Sequence, residues 1–594
     1  MFTTRPELRG TFGMVASTHW LASATGMAML ERGGNAFDAA VAAGFVLQVV
    51  EPHLNGPGGD MPLLAYRADT GDVDVICGQG VSPRAATIAH YRGLGLDLVP
   101  GTGLLAACVP GAFDAWMLLL RDYGTMDLAA VLEPAIGYAA GGYPLVPGIV
   151  EAIGAVADLF RDEWPSSAAV YLRNGAPPPL SELFGNAALA ATYRRLLAES
   201  AAAGGSRENR LEAARDAWYG GFVAEAIDRF CRTQAVMDTS GARHTGLLTG
   251  DDMAGWRATV EPPLSLDYHG WRVFKPGFWS QGPVLLQQLA MLADMPLAGM
   301  DPLGTDFVHT VTEAAKLAFA DRDAWYADPL HVDVPADRLL SAGYAAARRA
   351  LIDPQASSAT LRPGDAGGTP FMPSGTAMAA AELRAAGAAG FGEPTVQHTG
   401  AMPGDTCHLD VVDRWGNMVS ATPSGGWLHS SPVIPELGFC LGTRAQMFWL
   451  DERAAAALKP GIRPRTTLSP SLALGPDGGI AFGTPGGDNQ DQWSLVLFLR
   501  WLHHGLNAQA AIDAPMFDMV HFPSSFYPRA TVLNRLKMEG RFAPAVMAAL
   551  RDRGHQVDVE ADWSRGRLSM AGRRGDALFA AANPRFAQGY AVGR

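Results

Sequence analysis

The feature that most constrains this chain is a hydroxyl residue opening a hairpin, placed directly after a stretch that cannot build a core. In Gly404 to Thr422, GDTCHLDVVDRWGNMVSAT, two short apolar segments, His408 to Val412 and Met418 to Ala421, flank Asp413-Arg-Trp-Gly-Asn417. The late Gly and Asn suit a tight turn between two strands. Thr406 stands at the start of the first strand. Before it, Pro354 to Gly404 is dominated by Gly, Ala, Pro, Thr and Ser, the composition of a loop or mobile arm. An interdomain linker has that composition, and so has the tether of a self-cleaving precursor. If the chain is cut between Asp405 and Thr406, the threonine gains a free α-amine and carries nucleophile and base in one residue.

The first half reads as helical scaffold with a few strands. A strand-like piece, Phe12 to Ser17, leads into a helix from His19 to Arg32 that Gly33-Gly34 stops. Asn35 caps a second helix to Val50, whose run AAVAAGFVLQVV implies burial on most sides. Glu51 to Asp60, EPHLNGPGGD, is a glycine-rich turn that either reverses the chain or lets a backbone approach a ligand. Gly101-Thr-Gly103-Leu-Leu-Ala106 matches a dinucleotide fingerprint only on paper, because Pro100 sits where its strand should run. Val109 to Tyr123, Met126 to Gly142 and Leu189 to Ala235 are helical, Val260 to Phe274 alternates as strands, and a helix runs from Phe278-Trp-Ser-Gln-Gly282 to Leu292. Thr305 to Tyr326 has amphipathic helical spacing, so its charges Glu313, Lys316, Asp321 and Arg322 are expected on a solvated face or in internal ion pairs.

Past the hairpin, Pro464-Arg-Thr-Thr-Leu-Ser-Pro470 is a loop with three hydroxyls. Leu472 to Leu474 and Ile480 to Thr484 are strands around a glycine turn, and Pro485-Gly486-Gly487-Asp488 leads into a helix from Gln492 to His504. Amides at a glycine turn before a helix lack intrahelical acceptors and lie at its positive end, so an oxyanion hole can be built there.

Composition narrows the partners. A formal net charge of −13 lacks the basic stripe that neutralises phosphates, which argues against nucleic acid. Five scattered cysteines without a CxxC pair indicate neither a zinc site nor a disulfide framework. Arg5, Glu7 and Arg9 interrupt any signal-peptide core and no run is long enough to span a bilayer, so a cytoplasmic, membrane-free protein is expected. No G-x-S-x-G, Walker or H-E-x-x-H motif is present, and adjacent His503 and His504 diverge on a helix. His408 shares a strand face with Thr406, either as an assistant to the nucleophile or as a hydrogen-bonded structural histidine.

Taken together, GDTCHLDVVD, the Asn417 turn, RPRTTLSPSL and GTPGGDNQ resemble, in order and spacing, the γ-glutamyltransferase family of N-terminal-nucleophile hydrolases. The first half adds Gly13 to Gly44, EPHLNGPGGD, Val109 to Trp116, Gly246 to Trp256 and Glu313 to Pro329. The resemblance implies a four-layer αββα fold, autocleavage of the Asp405–Thr406 bond, and a large fragment 1–405 and a small fragment 406–594 that stay together as one intertwined unit. It makes Thr406 the nucleophile, Gly486 and Gly487 the oxyanion hole, Thr422 and Ser424 its neighbours on the next strand, and Thr466 and Thr467 the substrate loop. No cofactor or metal is required, the partner is a small amide or γ-glutamyl compound, and a homo-oligomer is compatible.

The chain departs from the family at the γ-glutamyl grip. Alignment puts Ile88 where the arginine for the α-carboxylate is expected and Met447 at the aspartate for the α-amine, leaving Arg444 or Arg84 as substitutes. The stretch from Met447 to Thr466 is also shorter than in members with a lid, which favours hydrolysis over transfer. The expected activity is an autoprocessed hydrolase of γ-glutamyl or other small acyl amides acting through a threonyl ester, with a true transpeptidase and an uncleaved ligand-binding relative as alternatives.

Overall fold

The N-terminal helical hairpin forms where its capping signals fall. Helix α1 (Trp20–Glu31) is capped by His19, whose Nδ1 accepts from the Leu21 amide. Helix α2 (Ala36–Val50) starts with a capping box: Asn35 accepts the amides of Phe37 and Asp38, and Asp38 accepts that of Asn35. Every residue of α2 is buried, as its unbroken apolar run requires. These helices lie on one of two seven-stranded sheets, the largest of five among the described residues of the computed structural model, which describes residues 2–375, 378 and 406–594.

The sheet strands are, in chain order, β1 (Leu8–Gly10), β2 (Gly13–Ser17), β3 (Met61–Tyr66), β4 (Val73–Gly78), β5 (Thr259–Glu261), β6 (Leu264–Tyr268) and β7 (Trp271–Lys275). They continue after the junction with β8 (Leu409–Asp413), β9 (Met418–Ala421), β10 (Ser471–Gly475), β11 (Gly478–Gly483), β12 (Ser569–Arg574), β13 (Ala577–Ala582) and β14 (Tyr590–Gly593). One antiparallel sheet has the order β14-β2-β8-β9-β3-β4-β5 and the other β1-β13-β12-β11-β10-β7-β6. Both sheets therefore draw strands from either side of residue 406.

Alternation along the strands makes three slabs of core. Val15, Leu63, Leu409 and Val411 face α2, while their neighbours Met14, Leu64, Val412 and Met418 meet Leu472 and Ala481 of the opposite sheet. The far face of the second sheet, through Val273 and Ile480, packs on helices α3 (Pro283–Leu292), α4 (Thr305–Trp325) and α5 (Gln490–His503). The layers are thus helix, sheet, sheet, helix, and the expected four-layer sandwich is observed.

Three expectations change in detail. Helix α4 has no solvated face: all residues from Phe307 to Ala324 are buried. Its charges form internal contacts instead, Lys316 with Glu313 at 2.7 Å, Asp321 with Arg348 at 3.2 Å, and Arg322 with Asp323 and Asp488. Helical spacing cannot reveal this, because the cover comes from the stretch read as a loose arm. Ser357 and Ser358 bond to Glu313, the Gly364 amide bonds to Asp321, and Ala366 and Phe371 are buried. The rest of that arm, with Asp405 and the proposed cleavage junction, falls outside the described residues. The glycine turn Glu51 to Asp60, finally, does more than reverse the chain: it lies backbone to backbone against Ser424–Gly426 and Leu441 through isolated bridges at Asn55, Gly58 and Asp60.

Candidate active site

Thr406 lies just before β8, and the two-residue period of an extended chain puts it on one face with His408 and Asp410, between the sheets. It is 1% exposed. Its Oγ1 is 3.2 Å from the Ser424 Oγ, and the two residues form an antiparallel bridge. On the reverse face Cys407 is tied to the glycine turn, its Sγ donating to Glu51 at 2.8 Å and receiving Asn55 Nδ2 at 3.0 Å. Burial pushes the Glu51 carboxyl up, against the pull of Arg567 and of its hydrogen bonds.

Ser424 is held in register by Asp60, whose amide donates to the Ser424 carbonyl at 2.9 Å and whose carbonyl accepts the Ser424 amide at 3.0 Å. Glycine is required at this approach, since a Cβ on Gly59 would lie 2.0 Å from the Ser424 carbonyl oxygen. The Asp60 carboxylate receives Arg444 in a bidentate pair, Nε at 2.7 Å and Nη2 at 3.1 Å. Arg444 is thus engaged in the wall behind Ser424, and its remaining Nη1 lies 3.9 Å from the Met447 Sδ.

Thr422 joins a buried relay. Its Oγ1 is 2.9 Å from His408 Nδ1, His408 Nε2 is 3.0 Å from Asp410 Oδ1, and Ser569 donates to Asp410 Oδ2 at 2.6 Å. A carboxylate only accepts, so in the neutral ring Nε2 carries the proton and Nδ1 accepts from Thr422. His408 is therefore a hydrogen-bonded positioning group for Thr422. It also touches the second sheet, where a Cβ on Gly483 would sit 2.4 Å from the ring.

The hydroxyl loop is fixed by a buried ion pair that nothing in the sequence marks. Lys275, at the end of β7, donates to the Ser469 carbonyl and the Ser471 Oγ, each at 2.9 Å, and pairs with Asp491 at 2.9 Å. Ser469 Oγ also donates to Asp491. Burial works against both charges, raising Asp491 and lowering Lys275. Within the loop, Thr466 Oγ1 accepts the Leu468 amide, whereas the Thr467 Oγ1 is buried without a partner among the described residues.

Gly486 and Gly487, at φ +123° and +53°, turn the chain from β11 into α5. A Cβ on Gly486 would meet the Trp493 ring at 2.5 Å. The Gly487 peptide is oriented by Gln281, which donates to its carbonyl at 3.1 Å and accepts from Arg322 at 3.0 Å. The structure thus brings the Thr406 and Ser424 hydroxyls together, and presents first-turn amides at the Gly486–Gly487 turn of the kind that can meet negative charge.

The two residues aligned with the family's γ-glutamyl grip, Ile88 and Met447, are both apolar. Ile88 packs between apolar clusters with Leu98 and Trp449, Met447 is fully buried, and Arg84 is two-thirds exposed with Asp252 at 3.8 Å. Lys275, Asp60 and Gln281 were missed in the sequence because their importance comes from contacts across layers. Only Asp60 had a local sign, as the last residue of the glycine turn.

A threonine at a strand start between two helix-covered antiparallel sheets defines an N-terminal-nucleophile hydrolase, an enzyme acting on amide bonds. The chain belongs to the gamma-glutamyltranspeptidase family, whose model it matches over residues 22–593. It is 31% identical over 558 residues to the glutathione hydrolase-like YwrD proenzyme of Bacillus subtilis (strain 168), with 93% of each chain covered. It is also 31% identical over 566 residues to the oxamate amidohydrolase proenzyme of Klebsiella pneumoniae, again covering 93% of each. The solved structure of LmbA2991HD matches over the whole of both chains at 56% identity and a TM-score of 0.93. The chain is thus a γ-glutamyltransferase-like hydrolase, and the alternative of an inactive binding relative is not favoured. Among the described residues no helix is long and apolar enough to cross a membrane.

Proposed function

We propose that Thr406, freed by cleavage of the Asp405–Thr406 bond, is the nucleophile of an amidohydrolase whose substrates are small acyl amides rather than γ-glutamyl compounds. The observation that carries this reading is the buried Thr406 Oγ1 within 3.2 Å of Ser424, and the apolar Ile88 and Met447 at the positions aligned with the family's γ-glutamyl grip support the choice of substrate. A terminal amine titrates at about 7.7 to 8.0, so near neutral pH part of it is free to take the hydroxyl proton. The Thr406 oxygen then attacks the amide carbonyl, and the Gly486 and Gly487 amides hold the oxyanion. The C–N bond breaks as the leaving amine takes a proton, and water hydrolyses the threonyl ester, releasing the acid and restoring Thr406. Thr422, oriented by His408, and Ser424 keep the hydroxyl and amine in register. The B. subtilis relative's name points to glutathione-type substrates and the K. pneumoniae relative's to a small amide; the apolar Ile88 and Met447 favour the second kind.

A side-by-side assay of the purified protein tests the reading. Turnover of small monoamides is expected to exceed that of a γ-glutamyl anilide, and Thr406→Ala is expected to abolish both. Efficient release from the anilide, or activity surviving in the Thr406→Ala protein, contradicts it.

A further inference from the structure

Arg529 is a buried cation beside Met447, with donors to spare. It is 3% exposed, and its Nη2 donates to the carbonyls of Gln446 at 3.1 Å and Phe448 at 2.9 Å, the residues that bracket Met447. Its Nε and Nη1 have no partner among the described residues. Trp449 covers one face of the guanidinium, its ring centroid 4.1 Å from Cζ. The side chain lines a cavity of about 280 Å³ together with Leu98, Phe371, Trp449, Pro528 and Thr531.

The loop that carries Arg529 is fastened at one end beside the Gly486–Gly487 turn and at the other beside Met447. At one end the Ser525 amide and hydroxyl donate to Asp488, the residue after Gly487. At the other the Tyr527 amide donates to Gln446 Oε1 at 3.0 Å. Arg529 itself is held at φ +61°, a backbone conformation that side-chain-bearing residues rarely adopt.

The charges around it do not balance. Arg322 contacts both Asp323 and Asp488, and Arg465 reaches Asp323 at 3.4 Å, while Arg529 makes no ion pair among the described residues and only feels the field of these four groups. Three guanidiniums thus face two carboxylates. At the cavity rim Arg92 pairs with Glu452 and Asp451 with Arg453, and the exposed Asp97 lines the mouth. Burial lowers Arg529 to about 9, which leaves it charged at neutral pH. A buried, incompletely paired cation is costly unless an anion meets it, and a guanidinium with two idle donors matches a carboxylate in shape.

The geometry points to Arg529 as the residue that grips a carboxylate on the acyl side of the substrate, which makes the substrates monoamides of short dicarboxylic acids. The kinetic part of this assignment rests on Thr406 as the nucleophile; the binding part does not. Arg529 takes over from the opposite flank of Met447 the task that Ile88 and Met447 cannot perform.

Two sets of probes separate the possibilities. Oxalate, malonate, succinate and glutarate are titrated calorimetrically into the wild-type protein and Arg529→Gln, and the corresponding monoamides are assayed beside their neutral methyl esters. The wild type is expected to bind at least one diacid and to favour the matching monoamide over its ester. In Arg529→Gln that diacid binds about 10- to 100-fold more weakly and KM for the monoamide rises to match, the loss expected for a charge-assisted pair, while kcat and turnover of the ester stay within about threefold. Arg529→Lys recovers part of the affinity, and it serves as the readout if the glutamine variant does not fold. The assignment is overturned if the wild type binds none of the diacids, if acid and ester forms are used equally, or if the substitution weakens both forms alike. Diacid binding that depends on Arg529 without any turnover upholds the grip and counts against Thr406 instead.

Discussion

Gly486 concentrates several constraints on one residue. Its φ of +123° excludes most side chains, and the Trp493 ring occupies the place a Cβ would take. Gly486→Ala therefore must move the turn that presents the first-turn amides. A drop of about 10²- to 10³-fold in kcat is expected, the usual effect of losing one oxyanion donor, with KM little changed; a kcat within threefold of wild type would remove this turn from the mechanism. Gly486, like Thr406, Thr422, Ser424 and Thr467, stands out as a candidate in the sequence because it falls in a short motif of fixed spacing. Arg444 was legible as a residue near the site but not in its engagement, since its partner Asp60 lies 384 positions away in the chain. Arg529 had no sequence signal: one arginine among many becomes distinctive only when the fold seals it beside Met447.

At the scale of elements, the hydroxyl loop depends on a strand end and a helix start that meet across the second sheet. Lys275 closes β7, Asp491 opens α5, and Ser469 is held between them. Removing one partner leaves the other charge buried alone, so Lys275→Met is expected to cost about 3 to 5 kcal/mol of stability. Lys275→Met combined with Asp491→Leu is expected to recover most of it while the loop remains misplaced and activity low. Denaturant melts of the two variants decide this, and equal stability of single variant and wild type would show that the pair carries no charge. The boundaries of helices and strands were mostly readable from caps, glycine stops and alternation. What lay beyond reach was cover: the choice between a solvated face and internal ion pairs on α4 stayed open because nothing in its own sequence shows that residues after 354 fold over it.

At the scale of the whole molecule, several histidines are buried in neutral form. Burial lowers His19, His429 and His555 to about 3, well below the value of about 6.5 they regain on unfolding. Between those values the unfolded chain binds protons that the folded one does not, so stability is complete above about pH 6.5 and falls as the pH drops, by up to about 1.4 kcal/mol per pH unit for each such residue. Melting temperature is expected to decline steadily from pH 7 to pH 5; a flat profile over that range would mean that these imidazoles are not kept neutral.

Both sheets interleave strands from before and after residue 406, so a cut there leaves two chains that cannot separate without dismantling the core. Native size therefore cannot report cleavage, whereas denatured mass can. The most direct test of the central claim is intact mass spectrometry with N-terminal sequencing of the purified protein under denaturing conditions. Two fragments, one of them beginning at Thr406, are predicted, with Thr406→Ala remaining a single chain of 62.8 kDa. A wild-type protein that stays at that full mass on prolonged incubation, or is cut to expose any other residue, contradicts the account.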